Sequence, residues 1–220
     1  MTNEIPALST RVLVTDFDGT MTRRDFYQLA IARLLPPDSP DYWGEFLAGR
    51  LTHFAALQSM FAQIHADDAT ILAVAEEMEL DPRLPPAVQK LQAAGWEIVV
   101  ASAGCDWYIQ RLLARRGVAL TVHANPGELQ ADGTLCMTPP LASPFYDADT
   151  GISKEAVTRN ALAQVAEVAF AGDGRPDLLA ALLVAPEYRF ARGWLAQHLS
   201  AEQIPYHGFE HWSDIAEMLL

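Results

Sequence analysis

Cysteine is scarce in this chain, which contains only Cys105 and Cys136 among its 220 residues. The sequence has no CxxC pair and no group of histidines and cysteines spaced as metal ligands, so it predicts neither a disulfide framework nor a structural zinc site. We expect both thiols to be reduced. Cys105 is expected to be inert, because small buried cysteines are common and its neighbours give no reason for a lowered pKa.

Positive charge is scarce too. The 28 acidic residues outnumber the 15 basic ones, and the resulting net charge of −13 repels nucleic acid and anionic lipid at long range. No segment approaches the roughly 18 uncharged apolar residues of a membrane span. The opening MTNEIPALSTR has neither the basic flank nor the apolar run of a signal peptide. We therefore expect a cytoplasmic protein that binds neither nucleic acid nor membranes.

The chain does contain enough apolar sequence for a substantial core, since 50% of its residues are hydrophobic and 20% are charged. It has no low-complexity tract and no obvious internal repeat. Its length suits one α/β domain with a sizeable insertion, because domains cluster at roughly 100 to 150 residues.

Strand and helix patterns alternate along most of the sequence. The predicted strands are 11–15, 95–104, 118–125, 168–174 and, as the last one, 187–191, and the helices between them are 85–94, 106–116, 153–165 and 177–183. The stretch 125–141 has DG at its centre and is typical of a β-hairpin or flap. This alternation predicts an α/β fold with a doubly wound parallel sheet, whose ligands bind beyond the carboxyl ends of the strands.

A long helical stretch separates the first two strands. Four short helices are predicted there, at 24–35, 41–48, 53–65 and 68–79, with Thr52 and Asp67 as capping residues. We expect residues 22–84 to form a small helical cap, and residues 1–21 and 85–220 to form the core domain. The aromatic residues of this insertion are expected to build the core of the cap rather than a ligand cage, with part of their surface open to a pocket: Tyr42, Trp43, Phe46, Phe54 and Phe61.

Acidic residues follow two of the predicted strands. Asp16 and Asp18 come directly after the first strand, in VLVTDFDGTMT, and Asp173 and Asp177 follow the fourth, in AGDGRPD. Four carboxylates that meet at one sheet edge repel one another unless a cation neutralises them. The oxygen donors favour Mg²⁺, which leaves coordination positions open for water and a phosphate group.

The spacing of the first two aspartates also permits two separate chemical roles. If Asp16 attacks phosphorus, Asp18 can protonate the leaving oxygen and later deprotonate the water that hydrolyses the aspartyl-phosphate. Phosphoryl transfer also requires positive charge and hydrogen-bond donors around the phosphate oxygens. Lys154, at the start of a predicted helix, can supply the charge. The donors are expected from a predicted ASAG turn, through the Ser102 hydroxyl and the amides of Ala103 and Gly104.

Four motifs, in order along the chain, resemble those of the haloacid dehalogenase-like phosphatase superfamily. They are DFDGT at 16–20, a strand ending in Ser102, Lys154, and GDGRPD at 172–177. The insertion lies where the phosphoserine phosphatase-like subgroup of this superfamily has its helical cap, of the C1 type. The segments DFDGTMTRRD, ASAGCDWYI and RFARGWL are further similar to the methionine-salvage and phosphoethanolamine/phosphocholine phosphatases of that subgroup.

The resemblance implies a Rossmann-like core and a Mg²⁺-dependent phosphatase whose partner is a small soluble phosphate ester. It also implies residue roles. Asp16 is the nucleophile and a metal ligand, and Asp18 is the general acid and base, with its backbone carbonyl on the metal. Ser102 and Lys154 bind the phosphate. Asp173 is a metal ligand. Asp177 is part of the metal site but contacts the direct ligands rather than the ion.

The motifs leave alternatives open. Transfer of the phosphoryl group to an acceptor other than water, as in a mutase or phosphotransferase, shares the first half-reaction with hydrolysis. A catalytically silent binding protein could keep the same fold. Neither the physiological substrate nor the oligomeric state follows from the sequence. Arg23, Arg24 and Asp25, at the start of the insertion, could contact a substrate from its hinge, but the arginine pair is expected on a solvated face outside the site.

Overall fold

Six parallel strands form the central sheet of the protein, as seen in a computed structural model that describes residues 11–220. The strands of the chain are β1 (Arg11–Thr15), β2 (Trp96–Cys105), β3 (Thr121–Asn125), β4 (Gly127–Leu129), β5 (Leu135–Met137), β6 (Tyr146–Asp147), β7 (Gly151–Ile152), β8 (Glu167–Gly172), β9 (Arg189–Ala191) and β10 (His207–Gly208). The order across the sheet is β10, β9, β8, β1, β2, β3. The expectation about a leader peptide concerns residues 1–10, which lie outside the described residues.

Helices cover both faces of this sheet. They are α1 (Phe26–Arg33), α2 (Tyr42–Leu47), α3 (His53–Phe61), α4 (Asp68–Glu76), α5 (Leu84–Ala93), α6 (Asp106–Arg115), α7 (Lys154–Gln164), α8 (Leu178–Leu183), α9 (Gly193–Ala201) and α10 (Trp212–Leu219). Within residues 11–220, no helix has the length and apolar character needed to cross a membrane.

The sheet is buried on both faces, which explains why β1 is an uninterrupted apolar run. Leu13 points into a core formed with α5, α6 and α10, whereas Val12 and Val14 point into a second core formed with α7, α8 and α9. The strand order reverses at β1, because β2 and β3 lie on one side of it and β8 lies on the other. A ligand site is expected at this reversal, beyond the ends of β1 and β8.

Four helices, α1 to α4, lie between β1 and α5, and we refer to them as the cap helices. The chain enters and leaves this segment side by side, through an antiparallel bridge between Thr22 and Leu80. Two hairpins of the core touch the cap helices. The N–H of Phe54 donates to the carbonyl of Asp149 at 2.7 Å, next to the β6–β7 hairpin, and Gln58 Nε2 donates to the carbonyl of Met137 in β5 at 2.8 Å.

The predicted α/β fold is confirmed, with the antiparallel β4–β5 hairpin within 125–141. Thr52 and Asp67 cap α3 and α4 as predicted, since their side chains accept the N–H groups of Ala55 and Thr70. Several boundaries differ: α1 begins at residue 26, α4 ends at residue 76, and β3 begins only at residue 121.

Two predictions were wrong. Residues 101–104 do not form a turn, because β2 continues through them to Cys105, with a register shift against β3 between Ala101 and Cys105. The strand at 187–191 is not the last, since β10 pairs with β9 after the intervening helix α9. β10 has only two residues, both exposed, and so carries no hydrophobic pattern.

Candidate active site

A cavity of about 280 Å³ lies between the carboxyl ends of the central strands and the cap helices. It is lined by all eight residues that the sequence predicts for the site: Asp16, Asp18, Ser102, Ala103, Gly104, Lys154, Asp173 and Asp177. Residues from four separate parts of the chain therefore converge on one space.

Three carboxylates form a cluster at the strand ends. Asp16 follows β1, Asp173 follows β8, and Asp177 ends a 3₁₀ helix just beyond. One oxygen from each lies within 4.8 Å of the others. Asp177 Oδ2 also accepts the N–H groups of Asp173 at 3.0 Å and Gly174 at 2.7 Å, which fixes the loop after β8.

Lys154 places one positive charge inside this cluster. The residue begins α7, which is capped by Ser153 Oγ, and its side chain is 4% exposed. Its Nζ lies 2.8 Å from Asp16 Oδ1 and 2.6 Å from Asp177 Oδ1. Burial alone lowers the pKa of Lys154, but the charges of Asp16 and Asp177 outweigh burial and raise it above the usual value. The lysine is therefore charged at neutral pH.

One lysine does not balance the carboxylates. Burial raises the pKa of Asp16 well above its usual value, and the attraction of Lys154 does not cancel this effect. Burial also raises the pKa of Asp173 to about 7, with further contributions from the charges of Asp177 and Asp25. Thr20 Oγ1 donates a hydrogen bond to Asp173 Oδ1 at 3.0 Å. The cluster has an excess of negative charge that a cation would relieve.

Asp18 lies beside the cluster and is held by two donors. Its Oδ1 accepts the N–H of Phe26, the first residue of α1, at 3.0 Å. The hydroxyl of Tyr108 lies 3.0 Å from Oδ1 and 2.9 Å from Oδ2. Burial raises the pKa of Asp18 to about 6, against the opposing effect of these hydrogen bonds.

Gly19 and Gly104 keep the backbone close to these acids. Gly19 has a φ of +70°, and a Cβ added there would lie 2.5 Å from Asp173 Oδ2. A Cβ on Gly104 would collide with the hydroxyl of Tyr108 and lie 2.8 Å from Asp18 Oδ2. Any side chain at either position would therefore displace a carboxylate or its partner.

The end of β2 supplies the expected donors for a phosphate group, in a form that differs from a turn. Ser102 is 1% exposed, and its Oγ accepts the N–H of Gly104 at 2.9 Å. Asn125 Nδ2 donates to the carbonyl of Ala103 at 2.8 Å, which holds this irregular strand end in place. Ser102, Ala103 and Gly104 all line the cavity from this irregular strand end.

The opposite end of the cavity is aromatic. It is lined by Tyr27, Trp43, Phe46, His53, Leu57 and Phe61. Trp43 stacks on Tyr27 with ring centroids 4.0 Å apart, and His53 stands edge-on to Trp43 at 5.6 Å. Burial lowers the pKa of His53 to about 4, so the imidazole is neutral at pH 7.

This lining agrees with the expectation that the aromatic residues of the insertion have part of their surface open to a pocket, and Phe61 belongs to the hydrophobic core as well. Trp43, Phe46 and Phe61 face the cavity, whereas Phe54 is buried in the hydrophobic core and Tyr42 packs against it.

Asp25 lines the cavity, unlike its neighbours Arg23 and Arg24 at the start of the insertion. It lies at the N-cap position of α1, where an aspartate ordinarily accepts a backbone N–H, yet it makes no capping hydrogen bond. Its side chain lines the cavity instead. Burial raises its pKa to about 7, and the nearby charge of Asp18 adds to that effect. Its position at the hinge of the insertion could be read from the sequence, but its missing capping hydrogen bond could not.

Other sequence expectations concern residues outside the site. Arg23 and Arg24 pair with Glu79, at 4.0 and 2.9 Å, and do not line the cavity. Both cysteines are free thiols. Burial raises the pKa of Cys105 to about 12, in agreement with an inert role.

Phosphoryl transfer requires positive charge and hydrogen-bond donors beside a nucleophile, and the cavity brings a buried carboxylate and a lysine together in this way. A family profile described as haloacid dehalogenase-like hydrolase matches residues 13–182. The chain belongs to this family and is a hydrolase.

Similar proteins that carry a functional name are phosphatases by that name. A 2-hydroxy-3-keto-5-methylthiopentenyl-1-phosphate phosphatase from Brevibacillus brevis is 21% identical over 94% of each chain. A protein of the same name from Microcystis aeruginosa is 26% identical over 96% of this chain and 98% of its own. Its relatives are thus named as phosphatases.

Solved structures share the fold. A phosphoserine phosphatase from T. onnurineus superposes with a TM-score of 0.65 at 15% identity, covering 99% of this chain and 98% of that one. A hydrolase of the family from Salmonella enterica serovar Typhi gives a TM-score of 0.66 at 21% identity, covering 91% of this chain and 68% of that one.

Proposed function

We propose that the protein is a Mg²⁺-dependent phosphomonoester phosphatase that acts on a small phosphorylated metabolite through an aspartyl-phosphate. The observation that carries this proposal is the position of Asp16. Its carboxylate lies 2.8 Å from Lys154 Nζ and within 4.8 Å of the other acids of the cluster, at the floor of the cavity. A nucleophile there has both a counter-charge and a phosphate-sized space beside it.

The first half-reaction transfers the phosphoryl group to the enzyme. A carboxylate oxygen of Asp16 attacks phosphorus, the bond from phosphorus to the ester oxygen breaks, and Asp18 gives its proton to the departing oxygen. The products are the free alcohol, the phosphorylated Asp16 and an ionised Asp18. The pKa of Asp18, raised to about 6 by burial, suits a group that alternates between acid and base near neutral pH.

The second half-reaction restores the enzyme. Asp18 accepts a proton from a water molecule, the water oxygen attacks phosphorus, and the bond from phosphorus to Asp16 breaks. Inorganic phosphate leaves, and Asp16 and Asp18 return to their starting forms. Lys154, the Ser102 hydroxyl and the amide of Ala103 would hold the phosphate oxygens through both steps, and the Gly104 amide, which donates to Ser102 Oγ, would hold that hydroxyl in place.

The donor set fits Mg²⁺. Five carboxylates line the cavity, against only one lysine in the cluster: Asp16, Asp18, Asp25, Asp173 and Asp177. Hard oxygen donors at a buried, over-charged position are typical of a Mg²⁺ site. We propose that Asp16, Asp173 and the backbone carbonyl of Asp18 would hold the ion, with Asp177 behind them. When bound, the ion would neutralise charge on the phosphoryl oxygens.

The aromatic end of the cavity bears on the choice of substrate. The cations that line the cavity, within residues 11–220, are Lys154 in the acidic cluster and Arg175, whose guanidinium lies 4.7 Å from the ring centre of Trp194. A substrate whose alcohol carries a carboxylate, such as phosphoserine, would have to place that group at Arg175, because Asp25 and the aromatic rings offer it no positive charge. This arrangement favours a neutral, partly apolar alcohol, such as the methylthio-substituted ester in the name of the relatives.

We further propose that residues 22–84 act as a cap over a core of residues 1–21 and 85–220. Closure of this cap would exclude bulk water from the phosphorylated Asp16. The cap helices supply four of the aromatic rings that line the cavity, those of Tyr27, Trp43, Phe46 and Phe61.

The experiment is a phosphate-release assay with a panel of phosphorylated metabolites, in Mg²⁺ and in EDTA. The panel includes the methylthiopentenyl ester, phosphoserine, phosphoethanolamine and phosphocholine. Asp16→Asn should abolish turnover, whereas Asp38→Asn, a matched change at an exposed loop residue, should not. Full activity of Asp16→Asn would refute the proposal, and phosphate appearing on added alcohols instead of in solution would show a phosphotransferase. Absence of Mg²⁺-dependent release from every ester would favour a binding protein.

A further inference from the structure

Tyr108 is a buried residue of the site that the proposed reaction has not yet used. It is the third residue of α6 and is 1% exposed. Its ring packs against Phe26, with centroids 4.4 Å apart, and more distantly against Phe17, at 6.5 Å. These contacts fix the ring between the first cap helix and the loop that carries Asp18. The position of the hydroxyl is therefore fixed as well.

The hydrogen bonds of the hydroxyl define its direction. The N–H of Cys105 donates to the Tyr108 oxygen at 3.3 Å. The oxygen itself lies 3.0 and 2.9 Å from the two carboxylate oxygens of Asp18. A phenol has one hydrogen to give. Because the Cys105 amide can only donate, the hydrogen of Tyr108 must point to Asp18.

We propose that Tyr108 is a positioning residue that orients Asp18 for proton transfer to the leaving oxygen. This inference rests on the proposed role of Asp18 as general acid. The Phe26 N–H donates to Oδ1, so Oδ1 is the acceptor oxygen of the protonated acid and Oδ2 carries its proton. The Tyr108 hydroxyl, within 3.0 Å of both Asp18 oxygens, would hold the plane of the carboxyl group so that the Oδ2–H can be given to the ester oxygen.

Gly104 gives independent support. A Cβ at this position would collide with the Tyr108 hydroxyl and would lie 2.8 Å from Asp18 Oδ2. Gly104 has an ordinary strand backbone, so its φ does not demand glycine. The lack of a side chain is instead required by the closeness of the Tyr108 and Asp18 pair.

The test compares two esters on the same enzyme preparation. An alkyl phosphate needs a proton on its leaving oxygen, whereas 4-nitrophenyl phosphate releases a stable phenolate without one. Tyr108→Phe should lower kcat/KM for the alkyl ester by about 10- to 100-fold, the value of one hydrogen bond to the charge that Asp18 gains as it gives up its proton, and should leave kcat/KM for the nitrophenyl ester nearly unchanged. The ratio of the two values cancels any fraction of unfolded protein. Tyr188→Phe, a half-buried tyrosine outside the cavity, is the matched control and should change neither value.

Asp18→Asn separates the inference from the function on which it rests. If Asp18 is the acid, this variant shows the same preference for the nitrophenyl ester in stronger form. An equal loss for both esters in Asp18→Asn would refute the role of Asp18. A selective loss in Asp18→Asn, together with an equal loss or no loss for both esters in Tyr108→Phe, would overturn the positioning role of Tyr108 alone.

Discussion

Removing the charge of Lys154 should destabilise the protein strongly. The change Lys154→Met keeps most of the side-chain volume but leaves Asp16 and Asp177 without the ammonium group that lies 2.8 and 2.6 Å away. Breaking a buried ion pair by deleting one partner costs about 3 to 5 kcal/mol. For a chain of this size each kcal/mol corresponds to about 2 to 4 °C in Tm, so we expect a fall of roughly 6 to 20 °C.

The assay is thermal unfolding in EDTA, with Lys90→Met as control. Lys90 is the only other lysine of the chain and is exposed on α5, so its replacement should shift Tm by at most about 2 °C. The pKa of Asp16 is raised in the folded protein, and loss of Lys154 should raise it further. A raised folded-state pKa means that stability is lost as pH rises, so the deficit should be larger at pH 8 than at pH 5. A Tm equal to that of Lys90→Met would refute this reasoning.

Three further predictions follow from single residues. Gly19→Ala should lower phosphatase activity by more than about tenfold, because its Cβ would displace an acid of the cluster, whereas Gly117→Ala, with the same backbone strain and open space around it, should cost only about 1 to 2 kcal/mol of stability. His53 has a pKa of about 4 when folded and 6.5 when unfolded, so denaturant melts should show stability falling by about 3 kcal/mol as pH drops through that window, and His53→Asn should remove this part. In thiol titration of the native protein Cys136 should react while Cys105 does not, and equal rates would contradict the burial of Cys105.

Much of the fold could be predicted because local patterns and the global topology agree. The run at β1 is apolar throughout since both sheet faces are covered, and Thr52 and Asp67 mark helix starts through hydrogen bonds that depend only on local sequence. Parallel strands place their carboxyl ends at one edge, so Asp16 and Asp173 could be assigned to one site from order alone.

The remainder depended on contacts between distant residues. Nothing near Tyr108 in the sequence indicates Asp18 as its partner, because that bond spans 90 positions. Asp25 has the sequence context of a helix cap, and only the fold turns it into the cavity. The bulged end of β2 was mistaken for a turn because Ser and Gly favour turns locally, whereas pairing with β3 up to Asn125 extends the strand.

The central claim is that Asp16 becomes phosphorylated, and chemical trapping tests it most directly. The enzyme is mixed with substrate and Mg²⁺, quenched in acid and reduced with borohydride, which converts an aspartyl-phosphate to homoserine. Peptide mass spectrometry should then find homoserine at position 16, and not at Asp18 or Asp173. An unmodified Asp16 in an enzyme that is turning over, or homoserine at another aspartate, would contradict the account.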